Sequence, residues 1–141
     1  GLPAAVAAKL MHPDRPVVCF SGDGCLMMTV QELATAAQYG AAVVTVVFNN
    51  GMFGTIRMHQ ERHYPGRVSG TANQNPDFAA LARAFGGHGE TVERTDQFPA
   101  AFRRASASGK PAVIDLKVDP EALTTRASLS EIRAAAMTKR Q

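Results

Sequence analysis

The chain has 141 residues, of which 45% are hydrophobic and 19% are charged, and its formal net charge is +3. These proportions are typical of a folded globular domain and exclude a disordered tail. No apolar stretch approaches the roughly 20 residues of a membrane-spanning helix, a secretory signal is missing, and two cysteines cannot form a disulfide framework. The chain is therefore predicted to be cytoplasmic, with no membrane partner.

The positive charge does not by itself indicate a nucleic-acid partner, because the basic residues are scattered. The densest stretch, residues 57–67, also contains Glu61 and one aromatic residue, Tyr64. Binding to a phosphate backbone needs a dense basic surface on one side of the molecule. We therefore predict that the chain binds no nucleic acid.

The sequence alternates short β-branched runs with alanine-rich segments of helical spacing. Capping-box spacing marks two helix starts, at Thr29 with Glu32 and at Ser128 with Glu131. In chain order, the pattern predicts a helix over residues 3–11, a strand over 17–20, a helix over 29–39, a strand over 42–48, a helix over 75–85, a short strand over 91–93, a helix over 96–107, a strand over 112–118 and a helix over 128–137.

This alternation predicts an α/β fold, in which a parallel sheet is flanked by helices on both of its faces. Residues 49–75 are predicted to form a long irregular segment, of which residues 49–67 are mobile until a ligand orders them. No linker divides the chain, so residues 1–141 are predicted to form one domain. Because the sequence opens at Gly1 without a methionine, we expect it to be a fragment of a longer multidomain enzyme.

Unusual chemistry follows two of the predicted strands. The run Gly22-Asp23-Gly24 follows the strand over residues 17–20, and Asn49-Asn50 follows the strand over residues 42–48. Ligands of open α/β sheets bind beyond the carboxyl ends of the strands. A carboxylate and a neutral amide oxygen suit Mg²⁺, which takes few protein ligands and shares its shell with phosphate oxygens and water. The spacing thus predicts a metal-bridged phosphate site.

The same residues form the pattern GDG…NN, which resembles the thiamine-diphosphate motif. The surrounding sequence is similar to that of acetolactate synthase-like enzymes and 2-oxo acid decarboxylases; it reads GDGCLMMTVQELATAAQYG…VVFNNGMFGTIRMHQ. The segment GLPAAVAAKL is similar to the helix that precedes the motif in those enzymes. The resemblance covers nearly all of the chain. It implies the thiamine-diphosphate-binding fold, here incomplete at its N-terminal end, with thiamine diphosphate and Mg²⁺ as cofactors.

The resemblance also implies a role for each matching position. The metal ligands would be the side chains of Asp23 and Asn50 and the backbone carbonyl of Met52. The diphosphate would lie against Gly22, Gly24 and Cys25, the last of which often corresponds to serine. The residues implied along the cofactor are Phe53, Gly54 and Thr55, and those on the substrate side are Ile56 and His59.

The reaction implied by the resemblance is decarboxylation of a small 2-oxo acid, with ligation of the acyl carbanion to a second carbonyl compound. A simple decarboxylase is the alternative. Acetolactate synthases usually have Gly-Met-Val and then a tryptophan here, whereas this chain has Gly54-Thr55-Ile56 and His59. This departure favours a different or more polar acceptor pocket.

The resemblance places two further groups outside this chain. The glutamate that activates the cofactor lies in a separate domain of a partner subunit, and the bulky side chain that bends the cofactor lies just upstream of Gly1. We therefore expect no catalytic residue in the chain, no turnover by the isolated fragment, and a homodimer or homotetramer of the complete enzyme.

Two other interpretations of the residues remain open at this point. In a phospho-acceptor receiver domain, Asp23 would be the acceptor and Lys117 the later strand-end lysine, although Asp23 has no acidic neighbour. A flavodoxin-like module would need more aromatic residues than the 6% present. The pair His59 and His63 has helical spacing but no acidic ligand set, which favours a solvated pair over a metal site.

Overall fold

The computed structural model describes residues 1–139, and these residues form two compact units. The first unit comprises residues 1–49 and 75–117, and the second comprises residues 50–74 and those from 118 onward. The first unit contains a sheet with its covering helices, and the second contains two helices and a loop.

A parallel four-stranded sheet forms the centre of the first unit. Its strands are β1 (Val17–Gly22), β2 (Val43–Asn49), β3 (His88–Val92) and β4 (Ala112–Lys117). Their order across the sheet is β1-β2-β4-β3, and every neighbouring pair is parallel. The predicted α/β fold with a parallel sheet is confirmed.

The helices alternate with these strands along the chain. Within the described residues they are α1 (Leu2–Met11), α2 (Asp23–Met27), α3 (Glu32–Gln38), α4 (Gly54–His63), α5 (Phe78–Ala84), α6 (Phe98–Ala107) and α7 (Leu129–Thr138). A single 3₁₀ turn, Thr95–Gln97, leads into α6.

Alternating residues of the two central strands build a hydrophobic core on each face of the sheet. Val47 and Val113 pack with residues of α1, α3 and α5, whereas Val46 and Ile114 pack with residues of α6. Successive side chains of a strand point to opposite faces, so runs such as Val43–Asn49 must be apolar on both. The predicted helices on both faces are therefore confirmed.

The strand register brings the carboxyl ends of the strands to one edge of the sheet. Gly22 is paired with Phe48, and Asn49 is paired with Lys117. The residues that follow β1 and β2 consequently leave the sheet at the same edge, as the α/β prediction requires.

The second unit is organised around the packing of α4 against α7. The capping box predicted at the start of α7 is present, because Ser128 accepts from the Glu131 N–H and Glu131 accepts from the Ser128 N–H. In the loop, Met52 forms an isolated antiparallel bridge with Ala72.

Four local predictions differ from the structure. The segment over residues 49–75 is not irregular throughout, because it contains α4. The buried residue of α4 is the charged Glu61, so the segment lacks the hydrophobic periodicity that reveals most helices. The predicted ordering of residues 49–67 by cofactor stays a prediction.

Two of the other three differences concern helix starts. Thr29 does not cap a helix, because its N–H bonds to the Leu26 carbonyl in a turn that continues from α2, and α3 begins only at Glu32. The helix predicted from residue 75 begins at Phe78, where the Asp77 side chain accepts from the Ala80 N–H. The short strand predicted over residues 91–93 is also longer and earlier, as β3.

Candidate functional site

Asp23 is buried at the point where β1 ends and α2 begins. Asp23 is 3% exposed and is the first residue of α2. Gly22, which has an extended backbone, is the N-cap of this helix. The Gly24 N–H donates to Asp23 Oδ1 at 2.9 Å, and Asn75 Nδ2 donates to Asp23 Oδ2 at 2.6 Å. Two neutral donors therefore fix the orientation of a buried carboxylate at the carboxyl edge of the sheet.

The bond from Asn75 is one link of a longer chain of hydrogen bonds. The same Nδ2 donates to Asn49 Oδ1 at 2.9 Å, and Asn49 Nδ2 donates to Asp115 Oδ1 at 2.9 Å. Lys117 Nζ donates to Asp115 Oδ2 at 2.6 Å. These five residues, Asp23, Asn75, Asn49, Asp115 and Lys117, are called the sheet-edge network below. It links the ends of β1, β2 and β4 to the segment before α5.

The predicted diphosphate residues lie beside Asp23 in sequence and in space. Gly24 and Cys25 belong to the first turn of α2, and Cys25 is an exposed free thiol. A Cβ at Gly22 would come within 3.9 Å of Cys25 Sγ, which is an ordinary contact. Gly24 is buried and its N–H already donates to Asp23, so Cys25 is the exposed residue among these three.

Asn50 and Met52 form a tight turn in the second unit. Asn50 Oδ1 accepts from the Met52 N–H at 3.1 Å. Gly51, between them, has a φ of +69°, a left-handed conformation that residues with a side chain rarely adopt. Backbone bonds from Phe53 to Thr71 and from Asn73 to Gly51 hold the turn against the following segment. The amide oxygen of Asn50 is thus placed by local structure.

Gly54 lies close to the side chain of Asn50. A Cβ at this position would lie 2.8 Å from Asn50 Nδ2 and 2.9 Å from Leu123 Cδ2. Such contacts are closer than real Cβ atoms allow, so a larger residue would displace the Asn50 amide. The absence of a side chain here keeps the predicted ligand in place.

Both predicted substrate-side residues lie on the exposed side of α4. Ile56 and His59 line an open cavity of about 520 Å³, together with Gln60, His63 and Tyr64. The His59 and His63 rings are stacked, with centroids 6.4 Å apart. The cavity combines apolar and imidazole surface, so it suits a small organic molecule with a polar group.

Glu61 holds the opposite side of α4 against α7. It is 1% exposed, and Arg133 binds both of its carboxylate oxygens at 2.6 and 2.8 Å. Arg57 Nε and the Gly66 N–H also donate to it. The Arg133 guanidinium, with these smaller contributions and against the effect of burial, lowers the pKa of the Glu61 carboxyl to about 2.

Sequence reasoning missed most of the residues that support Asp23. The sequence pattern predicts Asn75 only as the start of a helix, and it predicts no separate role for Asn49. Asp115 carries a signal that could have been used, since a charged residue inside the apolar run of β4 requires a buried partner. Asn75 offers no such signal, because asparagine before proline is common in turns.

The predicted metal ligands offer a donor set suited to Mg²⁺. Asp23 supplies a carboxylate, Asn50 an amide oxygen and Met52 a carbonyl, all of which are hard oxygen donors. Within residues 1–139, no three His, Cys, Asp or Glu side chains are grouped so as to hold a metal. A site with one carboxylate fits an ion whose remaining ligands are phosphate oxygens and water. The chemistry of these three oxygen donors therefore suits Mg²⁺.

None of the helices in the described part of the chain has both the length and the apolar character needed to cross a bilayer.

Comparisons with known proteins identify the family. Residues 1–116 match the family described as thiamine pyrophosphate enzyme, C-terminal TPP binding domain. The acetolactate synthase large subunit of Haemophilus influenzae is 41% identical over 121 residues, which cover 84% of this chain and 21% of that protein. The acetolactate synthase isozyme 2 large subunit of Escherichia coli is 41% identical over 120 residues, which cover 84% of this chain and 22% of that protein.

A solved structure supports the same conclusion. The thiamine diphosphate-dependent 4-hydroxybenzoylformate decarboxylase of Rhodococcus jostii RHA1 has a TM-score of 0.79 and 36% identity, covering 84% of this chain and 23% of that one. The chain thus spans about a fifth of the length of the relatives that it matches. The receiver and flavodoxin-like interpretations are set aside by these matches. The chain belongs to the thiamine pyrophosphate enzymes, and the part of that family it corresponds to is the C-terminal domain that binds thiamine pyrophosphate.

Proposed function

We propose that this chain binds thiamine diphosphate and Mg²⁺ in an enzyme that decarboxylates a 2-oxo acid and joins the resulting acyl unit to a second carbonyl compound. The observation that carries the proposal is the buried Asp23 carboxylate, held by neutral donors at the end of β1. The relatives named acetolactate synthase support the ligation step.

The proposed roles follow from the chemistry of each residue. Asp23, Asn50 and the Met52 carbonyl hold Mg²⁺, and the diphosphate lies against Gly22, Gly24 and Cys25, of which Cys25 can offer its N–H. Residues 53–55 continue along the cofactor, and Ile56 and His59 contact the substrate. Thiamine diphosphate, when bound, supplies the carbanion chemistry, so the protein's own task is to bind and orient.

A simple 2-oxo acid decarboxylase of the same family is the second candidate. The Rhodococcus jostii structure, which is named as a decarboxylase, favours it. The histidine at position 59, where acetolactate synthases usually have a tryptophan, also favours it. The two candidates share the proposed cofactor site and differ only in the fate of the acyl unit.

The experiment uses the natural protein with thiamine diphosphate, Mg²⁺ and either pyruvate or benzoylformate. Cofactor binding is measured by calorimetry, released carbon dioxide by a coupled assay, and products by NMR. A condensed product such as acetolactate supports the ligase, and an aldehyde alone supports the decarboxylase. Absence of thiamine diphosphate binding in the presence of Mg²⁺ would overturn the proposal.

Several broader expectations stay predictions. We propose that the isolated 141-residue chain is inactive, since the resemblance places the activating glutamate in a separate domain. The homodimer or homotetramer and the cytoplasmic location also remain predictions. Carbon dioxide release by the isolated chain, compared with free cofactor, tests the first of these.

A further inference from the structure

The donors and acceptors of the sheet-edge network can be arranged in only one direction. Asp115 and Asp23 stand near its two ends, and an ionised carboxylate only accepts hydrogen bonds. Asn49 must therefore turn its NH₂ group toward Asp115, which leaves its Oδ1 facing Asn75. Asn75 must in turn present its NH₂ group to Asn49.

This direction commits both N–H bonds of the Asn75 amide. One donates to Asn49 Oδ1 at 2.9 Å, and the other donates to Asp23 Oδ2 at 2.6 Å. An amide NH₂ has two donors and no acceptor capacity. The Asn75 amide is thus held by Asn49 on one side, and it restrains the Asp23 carboxylate on the other.

The inner end of the network is firmly anchored. Asp115 is completely buried on β4, and Lys117 neutralises it from two residues along the same strand. Asn49 is 8% exposed at the end of β2. The position of the Asn75 amide is therefore set by two central strands of the sheet, which are among the most rigid parts of a fold.

The backbone of Asn75 is restrained as well. Pro76 follows it and disfavours the helical conformation at the preceding residue. Asp77 then caps α5 by accepting from the Ala80 N–H at 2.8 Å. The side chain of Asn75 consequently leaves the backbone at a fixed point just before α5.

We propose that Asn75 is a positioning residue for the cation site, acting through Asp23. The inference rests on the proposed function, since it requires that Asp23 bind the cation. Asn75 holds Oδ2 in one orientation and adds no positive charge, so the carboxylate keeps both its direction and its attraction for a dication. Such partners of metal ligands fix ligand orientation in known metal sites.

The test compares Asn75→Leu with wild type in the natural protein. Leucine has a similar shape and no donor, so it removes both hydrogen bonds without leaving a large cavity. With thiamine diphosphate at saturation, the Kd for Mg²⁺ is expected to rise about 10- to 100-fold, as for the loss of other partners of metal ligands. Gln74→Ala, at the exposed neighbouring residue, is the matched control and is expected to leave the Kd unchanged.

Two further measurements separate positioning from a general role in folding. Mn²⁺ replaces Mg²⁺, and the electron paramagnetic resonance spectrum of the bound ion is expected to change in Asn75→Leu because its ligand geometry changes. The melting temperature without metal and cofactor reports the structural contribution alone. Asn75→Ser keeps one donor and is expected to restore part of the Mg²⁺ affinity; it carries the test if Asn75→Leu does not fold.

The outcomes distinguish this inference from the proposed function. If wild type binds thiamine diphosphate and Mg²⁺, and Asn75→Leu binds Mg²⁺ equally well with the same Mn²⁺ spectrum, only the inference is wrong. A lower melting temperature with an unchanged Kd would also overturn it, because Asn75 would then be structural. If wild type does not bind, the proposed function and the inference both fail.

Discussion

Two buried carboxylates, Asp23 in the first unit and Glu61 in the second, have hydrogen-bond donors of different charge. In the first unit, Asp23 accepts from the Gly24 N–H and the Asn75 amide, both of which are neutral. In the second unit, Glu61 accepts from two guanidinium groups, Arg57 and Arg133. Both side chains are nearly inaccessible, at 3% and 1% exposure.

The difference indicates two uses of a buried acid. A guanidinium supplies an opposite charge as well as hydrogen bonds, so it stabilises the carboxylate within the fold. A neutral donor fixes the direction of a carboxylate without cancelling its charge. Glu61 is therefore suited to joining two helices, whereas the Gly24 and Asn75 donors orient Asp23 and contribute no positive charge.

The largest effect is expected from Asp23→Asn. The substitution keeps the shape of the side chain and removes the charge that a dication requires. The affinity for thiamine diphosphate with Mg²⁺ should fall by more than about 100-fold, exceeding the usual effect of losing an outer partner. Calorimetry at fixed Mg²⁺ measures it.

The control for this variant is Asp14→Asn, the same change at an exposed carboxylate of the first unit. It should bind as wild type does. If Asp23→Asn also keeps wild-type affinity, the assignment of Asp23 to the metal is wrong, and the comparison with Glu61 loses its functional meaning.

The second effect is on stability, and it belongs to the second unit. Arg133→Ala removes the guanidinium that binds both oxygens of Glu61. The free energy of unfolding should fall by about 3 kcal/mol, near the lower end for a broken buried ion pair, because Arg57 and the Gly66 N–H still donate. Denaturant unfolding measures it, with the exposed Arg126→Ala as control.

A third prediction concerns pH. The Arg133 guanidinium lowers the pKa of Glu61 from 4.5 to about 2 in the folded state. Between these values the unfolded state binds more protons, so the stabilisation is complete above pH 4.5 and is lost as the pH falls toward 2. The difference in unfolding free energy between wild type and Glu61→Gln should shrink over this range. A constant difference from pH 7 to 2 would contradict the low pKa.

The sheet could be predicted from sequence because the continuous apolar runs of its strands indicate that both faces are buried. Val43–Asn49 carries apolar residues on both faces, and only a doubly covered strand needs this. Helix α4 could not be predicted in the same way. Its buried residue is Glu61, whose partner Arg133 is distant in sequence, so no local pattern reports the contact.

The candidate site shows the same limit. Asp23 and Asn50 could be predicted as ligands because they belong to a motif whose spacing spans one helix and one strand. Asn75 lies 52 residues from Asp23 and outside that motif. Its role depends on the direction of hydrogen bonds across three strand ends, which only the folded structure brings together.

The smallest effect is expected from Gly54→Ala, which tests the predicted ligand of the second unit. The added Cβ would lie too close to Asn50 Nδ2 and Leu123 Cδ2, but both atoms end flexible side chains and can move. Overpacking of this kind costs about 1 kcal/mol, and we expect the Mg²⁺ affinity to fall about fivefold if Asn50 is displaced from the ion.

Leu123→Ala alone should bind as wild type does. The double variant Gly54→Ala, Leu123→Ala should regain part of the Mg²⁺ affinity, because removing the Leu123 side chain lets the start of α4 shift away from Asn50. Unchanged Mg²⁺ affinity in Gly54→Ala, with Asn50→Ala also unchanged, would show that the cation depends on Asp23 and not on Asn50.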